Sequence, residues 1–427
     1  MPLADLKTKL AKTANDEWAI FRLFTNGVKT NRDDWVYDFD PANLRAKTSF
    51  FVDTYNQELG FSDKSYNPAI KWSSALRDRF DRGEQLVHDG ANSLQSLYRP
   101  FTMKHHYADI KLNDRLTRNH YEMFGQDLKQ ANKAICLSGV ASSKPFQVLA
   151  TSGLFGFDML EKTQCLPLYR YTEDGDRVCN ITDWGIRHIT EHYRDDWGKD
   201  FQEIYPNGIS AEEIFAYTYA VLHDPVYRYD YANDLLREFP RLPLYRDFDL
   251  WAKMGQELLD LHISFESAEP YPLERHDKAP PAKVKDERWT PKPRLHADKE
   301  RGIITLDEQT SLSGMPADAW RYVLGSRSAL EWVLDQYKEK KPRDPTIREK
   351  FNNYRFADHK ERVIDLLQRV CTVSVKTMEI VDGMAYWDGD KLVVFGDRDR
   401  DELAMLAWSQ FNSEPEDEEW LASWSKT

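Results

Sequence analysis

The sequence predicts an α+β protein, with a mixed β-rich lobe followed by a mainly helical support lobe carrying small hairpins. Three observations predict it. Residues 110–182 alternate turn clusters with short apolar runs, around Ile135-Cys136-Leu137, Val148-Leu149-Ala150 and Cys165-Leu166-Pro167-Leu168. Such runs are strand-sized and bounded by turn residues. From residue 208 onward, apolar positions recur at helical spacing. Residues 269–301 break that pattern with Pro270, Pro272, Pro280, Pro281, Pro291 and Pro293 among charges. That composition predicts a long surface connection with little structure of its own.

The elements follow in chain order. Leu3, Leu6 and Leu10 predict a short helix, and Trp18, Ile20 and Phe21 lead into a strand. Thr30-Asn31-Arg32-Asp33 reads as a turn and Trp35-Val36-Tyr37 as a strand. Helices are expected over 41–60 and over 69–89, the second charged and amphipathic. Residues 97–109 read as two short strands bent at Pro100. No helix is assigned between 110 and 182. Ser210, with Glu213 three residues on, opens a helix over 211–231 through a capping box. Asp249 is the expected cap of a helix over 250–264. Residues 302–314 read as a hairpin, 328–340 and 359–381 as helices, and 385–396 as a hairpin turning on Asp388-Gly389-Asp390. A short helix over 400–411 and an acidic tail complete the reading. The divisions are 1–95, entry segment and helices; 96–207, β-rich lobe; 208–384, helical support lobe with the 269–301 connection; and 385–427, terminal hairpin, helix and tail.

Of the 427 residues, 41% are hydrophobic and 30% charged, enough to bury a sizeable core and to exclude a disordered chain. The 58 Lys and Arg against 71 Asp and Glu give a net charge of −13, which excludes a chain that is basic throughout. A nucleic-acid role must therefore rest on local patches. No apolar run approaches the ~20 residues that span a bilayer, and the opening residues lack the apolar core of a secretory signal. Cys136, Cys165, Cys179 and Cys371 show no metal or disulfide spacing, so a reducing, cytoplasmic setting is expected.

Several catalytic motifs are absent. There is no GxxxxGK[ST] phosphate loop, no GxGxxG opening a helix, no HExxH and no GxSxG. There is no [DNS]PP[YFW] tetrapeptide of the kind amino-methyltransferases use to hold a flipped base; the nearest string is Tyr66-Asn67-Pro68-Ala69. His105 and His106 are neighbours on a strand, so they point to opposite faces and cannot chelate one ion. The carboxylate pairs Asp33-Asp34, Asp195-Asp196 and Glu212-Glu213 read as solvated faces or helix starts. Asp344, Glu349 and Lys350 can be forced into a nuclease pattern, but they lie in a loop-to-helix stretch without the required geometry.

Positive charge concentrates in residues 96–150, where eight Lys and Arg face four Asp and Glu, a local +4. Arg99, Lys104, Arg115 and Arg118 lie there with His105, interleaved with Tyr98, Phe101, Tyr107 and Tyr121. Phosphate contact needs Lys and Arg, and base reading needs Arg, Lys, Asn, Gln or His on short loops or helix ends. Taken alone, the composition of the window favours a charged surface without a ligand over a nucleic-acid contact. A second cluster, Lys29, Asn31 and Arg32, sits on a turn. A third, Gly139 to Lys144 with Ser143, is a small-residue loop of the kind that lets amides approach phosphate.

Several strings together decide between these readings. Gly27-Val28-Lys29-Thr30-Asn31-Arg32-Asp33 with Trp35-Val36-Tyr37, Tyr98-Arg99-Pro100-Phe101 and Phe155-Gly156-Phe157-Asp158 come first. Cys165-Leu166-Pro167-Leu168-Tyr169, Glu213-Ile214-Phe215-Ala216-Tyr217 with Val221-Leu222-His223, and Glu257-Leu258-Leu259-Asp260-Leu261-His262 follow. Gly325-Ser326-Arg327-Ser328-Ala329-Leu330-Glu331-Trp332 and Val373-Ser374-Val375-Lys376-Thr377-Met378 complete a collinear set over roughly residues 19–384. The set resembles the C-terminal specificity domain of Type ISP restriction-modification enzymes, which join a nuclease, a helicase-like ATPase and an N6-adenine methyltransferase to a target recognition domain. The resemblance implies a recognition lobe that reads an asymmetric duplex site in the major groove. It implies double-stranded DNA and the methyltransferase and helicase portion, on the same or a separate polypeptide, as partners, with no membrane. It implies no catalysis by this chain itself. S-adenosylmethionine, ATP and Mg would belong to catalytic domains. The candidate DNA contacts, chosen by charge and loop position, are Lys29, Asn31, Arg32, Arg99, Lys104, His105, Arg115, Arg118, Ser143 and Lys144. The alternatives are an independent nuclease or hydrolase with a dispersed site, and a protein-interaction module.

Overall fold

Ser210 and Glu213 close the box read from the sequence. Ser210 Oγ accepts from the Glu213 amide at 3.2 Å, and the Glu213 carboxylate accepts from the Ser210 amide at 2.8 Å. The helix they open, Ala211–Val221, buries every residue from Ile214 onward. It packs along Phe248–Ile263. At the crossing a Cβ on Gly255 would lie 1.8 Å from the Ala216 carbonyl oxygen, so the two backbones touch. Gly255→Ala must push the helices apart and is expected to cost about 3 kcal/mol, the upper end of ordinary overpacking penalties. Urea denaturation reads this directly; an unchanged midpoint would refute the close crossing.

The computed structural model describes residues 1–388 and 391–394, apart from 12, 14, 15, 64 and 280–289. The three apolar runs of the first lobe form the heart of an antiparallel sheet in the order Thr25–Asn26, Gln164–Pro167, Ala134–Leu137, Val148–Thr151. The strands are buried on both faces because the sheet divides two cores. Ala134, Cys136, Leu149 and Cys165 face one core. Ile135, Leu137, Val148, Ala150 and Leu166 face the other, which holds the Ala211–Val221 helix. All four cysteines are free thiols, with Cys136 and Cys165 in register on neighbouring strands.

A second antiparallel sheet has the order Tyr37–Asp38, Thr102–Tyr107, Ser93–Arg99, the last two turning at Pro100 as expected. The Pro41–Leu59 helix backs it through Leu44, Phe51 and Tyr55. Trp35 and Val36 are not strand but lie in a helical turn, Asp33–Val36, whose side chains fill this third core. The helix expected over 69–89 is only Ser74–Asp81, started by Ser73, whose Oγ accepts from the Leu76 amide. The charged flanks that lengthened the prediction lie outside it.

Three helices occupy the stretch read as β-rich, Arg118–Phe124, Asp183–Trp197 and Lys199–Ile204. In Arg118–Phe124 the His120 ring accepts from the Thr117 amide at 3.0 Å, doing the work of a Glu or Gln. That unusual partner hides the box from pattern reading. Asp183–Trp197 starts at Thr182, whose Oγ accepts from the Gly185 amide. The helix expected over 211–231 stops at Val221, and Asp224 caps a separate one, Pro225–Asp230. Proline tolerates the first turn of a helix and not its interior. Asp247 rather than Asp249 stands before Phe248–Ile263; Asp249 lies in the first turn and accepts the Tyr205 hydroxyl.

The 269–301 segment is not a bare connection. Glu274–Asp277 and Pro293–Asp298 flank the predicted hairpin, Ile303–Asp307 with Thr310–Ser313, in a four-stranded antiparallel sheet. Every residue of Glu274–Asp277 is exposed, so this edge strand carries no apolar pattern to read. Ser328 and Glu331 form another capping box ahead of Ala329–Gln336, and Phe356–Asp382 is the long helix expected near 359–381. The backbone hairpin Ala385–Asp388 with Lys391–Val394 forms as predicted. Its turn residues 389–390, the 400–411 helix and the acidic tail lie outside the described residues. Among the described residues, no helix is long and apolar enough to cross a membrane.

Candidate nucleic-acid interface

Four segments meet where the two sheets of the first lobe join. The Val28 amide donates to Phe155 O at 3.0 Å and Phe157 returns to Val28 O at 3.0 Å. Leu97 donates to Leu154 O at 2.8 Å, and Gly156 returns to Leu97 O at 3.1 Å. Arg115 donates to Lys29 O at 2.9 Å. A Cβ on Gly27 would lie 2.4 Å from Gly156 O, so glycine is what lets these backbones cross.

This lacing brings Lys29 and Arg115 side by side. Arg115 is exposed and its guanidinium has no partner among the described residues. Lys29 is half-buried, with Nζ 5.5 Å above the Phe157 ring. Asn31 is exposed in the left-handed region, with φ of 55°, and donates Nδ2 to Asp114 at 2.6 Å. Asparagine is among the few residues that adopt this conformation readily.

Arg32 does not belong to the surface set. It is 1% exposed and turned inward. Its Nη1 donates to Leu112 O at 2.5 Å, and its Nη2 to Ser73 Oγ at 2.5 Å and to Asp114 at 3.0 Å. Burial pulls the guanidinium below its ordinary pKa, and Asp114 opposes that shift. Alternation around the turn sends Asn31 outward and Arg32 inward, and the sequence signals neither direction.

Arg99 lies next to this junction. Its guanidinium is 4.1 Å from the centre of the Tyr98 ring, donates to Tyr98 O at 2.8 Å and stands 4.0 Å from Asp33. Tyr98 in turn donates its hydroxyl to Asp33 at 3.2 Å. On the neighbouring strand, Lys104 Nζ sits between two rings, 4.1 Å from Tyr98 and 4.6 Å from Phe39. Burial there, with the cations Arg99 and Lys47 nearby, pulls its ammonium down to about 7. His105 is half-exposed beside Gln95, at 3.2 Å. His106 points the other way, is buried, and bonds Asn113 Oδ1 at 2.8 Å; burial pulls its ring down to about 4. Among the described residues no cluster of His, Cys, Asp or Glu could hold a metal.

Arg118, three residues after Arg115, is the first residue of its helix and largely exposed. It pairs with Glu173 at 2.8 Å, an exposed contact of little energetic weight. The Gly139–Lys144 loop departs from its phosphate reading. The Glu161 carboxylate already accepts from Ser142 Oγ at 2.9 Å, Ser143 Oγ at 2.9 Å and the Ser143 amide at 3.2 Å. Burial raises the pKa of Glu161, and these donors outweigh it to leave it lowered. The loop thus cradles an internal anion. Lys144 remains exposed beside it, with no side-chain partner among the described residues. The structure therefore gathers Lys29, Asn31, Arg99 and Arg115, with Lys104 and His105 on the adjoining strand and Arg118 beyond; Ser143 and Lys144 form a separate locus.

Sequence reasoning missed Phe157, Asp114 and Asp33, which position the cations. Phe157 appeared there only in the string Phe155-Gly156-Phe157-Asp158, and Asp33 only in the Thr30 to Asp33 turn, the Gly27 to Asp33 string and the Asp33-Asp34 pair. Two of the three residues of the nuclease pattern take structural roles. Asp344 accepts the Trp35 indole at 2.8 Å and the Ile347 amide at 3.1 Å, and Lys350 lies 4.5 Å from the Phe50 ring.

The fold and this interface define a binding domain, an α+β scaffold that presents cations and aromatic rings from short turns. The chain belongs to the Type ISP C-terminal specificity domain family, whose model matches residues 19–366. Solved structures that resemble it include the following three. DrdV, in a cryoEM structure of its DNA complex, is 45% identical with a TM-score of 0.83 over 90% of this chain. A nuclease-deletion mutant of the Type ISP restriction-modification enzyme LlaGI, in complex with a DNA substrate mimic, is 25% identical with a TM-score of 0.69 over 90%. The ATP-dependent Type ISP enzyme LlaBIII, bound to DNA, is 27% identical with a TM-score of 0.71 over 85%. The chain spans 38% of DrdV, 36% of LlaGI and 23% of LlaBIII. No curated protein matches the chain.

Proposed function

We propose that this chain reads the sequence of duplex DNA on behalf of a restriction-modification methyltransferase. The observation that carries the proposal is the pairing of Lys29 with Arg115, which sets two cations beside Asn31 at the junction of two sheets. The family membership and the DNA-bound relatives support it. In this reading Lys29 and Arg115 reach phosphates or guanine edges, and Asn31 offers its amide to a base. Arg99, Lys104, His105 and Arg118 extend the track, and Lys144 touches the backbone further off. Arg32 and Ser143 support the fold and make no contact. The site is read in the major groove, and the reader serves an N6-adenine methyltransferase that flips its target. S-adenosylmethionine, ATP and Mg are assigned to that machinery, outside these residues. A net charge of −13 is compatible with this role because counterion release depends on the cations at the contact, not on the whole chain. Selection of bound duplexes from a random library, at stated salt, tests the proposal. One enriched asymmetric motif is expected; a retained pool without sequence preference would overturn it.

A further inference from the structure

We propose a phosphate-binding site beside the Asp183–Trp197 helix, apart from the Lys29–Arg115 junction. A pocket of about 460 Å³ opens between the Asp183–Trp197 helix and residues 205–209. Arg187, Thr190 and Arg194 line it. Their spacing of three and then four places them on one face of the helix. Both arginines are exposed, and neither makes a side-chain hydrogen bond or ion pair among the described residues.

Thr190 supplies the independent observation. It is 6% exposed, and its Oγ has no partner. Three other buried helical threonines donate four residues back: Thr48 to Leu44 O, Thr218 to Ile214 O and Thr377 to Val373 O, at 2.7–2.9 Å. Thr190 does not. Gly208 faces it, and a Cβ there would lie 3.5 Å from Thr190 Cγ2 and 3.9 Å from the hydroxyl, at van der Waals distance, so the missing side chain leaves a gap about the size of a methyl group beside Thr190. A buried hydroxyl without a partner costs stability unless something else bonds it. Gln202 and Asn207 add amide groups to the wall, and Asp183 is the acid among the lining residues. Asp183 lies one turn before Arg187 on the helix; Arg194, two turns further on, has no acid beside it in the lining.

Two guanidinium forks, a hydroxyl and side-chain amides arranged around one small space suit a tetrahedral, multiply charged oxyanion. The ligand is therefore a phosphate group, either of the duplex backbone or of a small phosphate compound. If it is the backbone, the inference rests on the DNA reading above.

The test uses the full chain, with Arg187→Ala/Arg194→Ala and the near-isosteric Thr190→Val, each checked for an unchanged circular dichroism spectrum. Inorganic phosphate is titrated and followed by ³¹P line width. In parallel, duplex affinity is measured across a salt series. The double variant is expected to weaken phosphate binding at least ten-fold, and Thr190→Val several-fold. If the duplex backbone is the ligand, the double variant also flattens the slope of log affinity against log salt by about 1.8. A lost phosphate response with an unchanged slope assigns the pocket to a small phosphate compound. No difference between wild type and variants in either arm overturns the proposal. Failure of the DNA reading would show separately, as absence of sequence preference in the duplex selection, and leaves the phosphate arm intact.

Discussion

Arg32→Ala is expected to destabilise the protein by about 3–5 kcal/mol, the cost of removing one partner of a buried ion pair. The side chain is fully buried, and the Asp114 side chain is 10% exposed. The substitution leaves Leu112 O without a donor, takes one of two donors from Ser73 Oγ and leaves the Asp114 carboxylate without its cation. It also opens a cavity beside Phe51, over which the guanidinium sits at 5.8 Å. Urea unfolding of Arg32→Ala, Asp114→Asn and the double variant measures the pair. The double variant should be more stable than the sum of the two singles, because it buries no lone charge. Strict additivity, or a loss below about 1 kcal/mol, the level of an exposed pair, would show that Arg32 is a surface residue after all. Because Asp114 also holds Asn31, the Arg32 variant should lower DNA affinity through misplaced Asn31 even though Arg32 touches no nucleotide.

Lys29→Ala/Arg115→Ala is expected to have the largest effect on DNA binding. A side chain that reaches a base edge is worth about 1–3 kcal/mol, and each phosphate no longer neutralised lowers the salt slope by about 0.9. Fluorescence anisotropy with the selected duplex, repeated from low to moderate salt, reads both quantities. Arg118→Ala is expected to do less, since its guanidinium must first leave Glu173. Swapping Arg115→Lys separates the two binding modes. A phosphate partner tolerates the change, whereas bidentate reading of a guanine does not. Affinity and salt slope unchanged in the folded double variant would remove the junction from the interface.

Local rules made much of the scaffold readable. The Ser210–Glu213 box, the bend at Pro100 and the hairpin over 302–314 depend on neighbours within a few residues, so sequence alone determined them. So did the alternating runs that became the double-faced sheet. Elements whose signal is carried by an unusual partner escaped, as with His120 capping Arg118–Phe124. So did those whose partners are distant, as with Glu274–Asp277, an exposed strand that exists only because Thr310–Ser313 pairs with it.

The candidate interface divides along the same line. The sequence alone determined that cations and aromatics concentrate near 27–33 and 96–150, and the collinear strings pointed to the family. Only the tertiary structure decided which of those charges face outward. Arg32 became an internal strut because Asp114, 82 residues away, comes to meet it. The Gly139–Lys144 loop took an internal carboxylate because Glu161 folds beneath it. Arg115, without a side-chain partner among the described residues, is held beside Lys29 by its backbone, next to the crossing that Gly27 permits against Gly156. Charge belongs to a residue type and can be read from the chain; exposure depends on what long-range packing brings alongside.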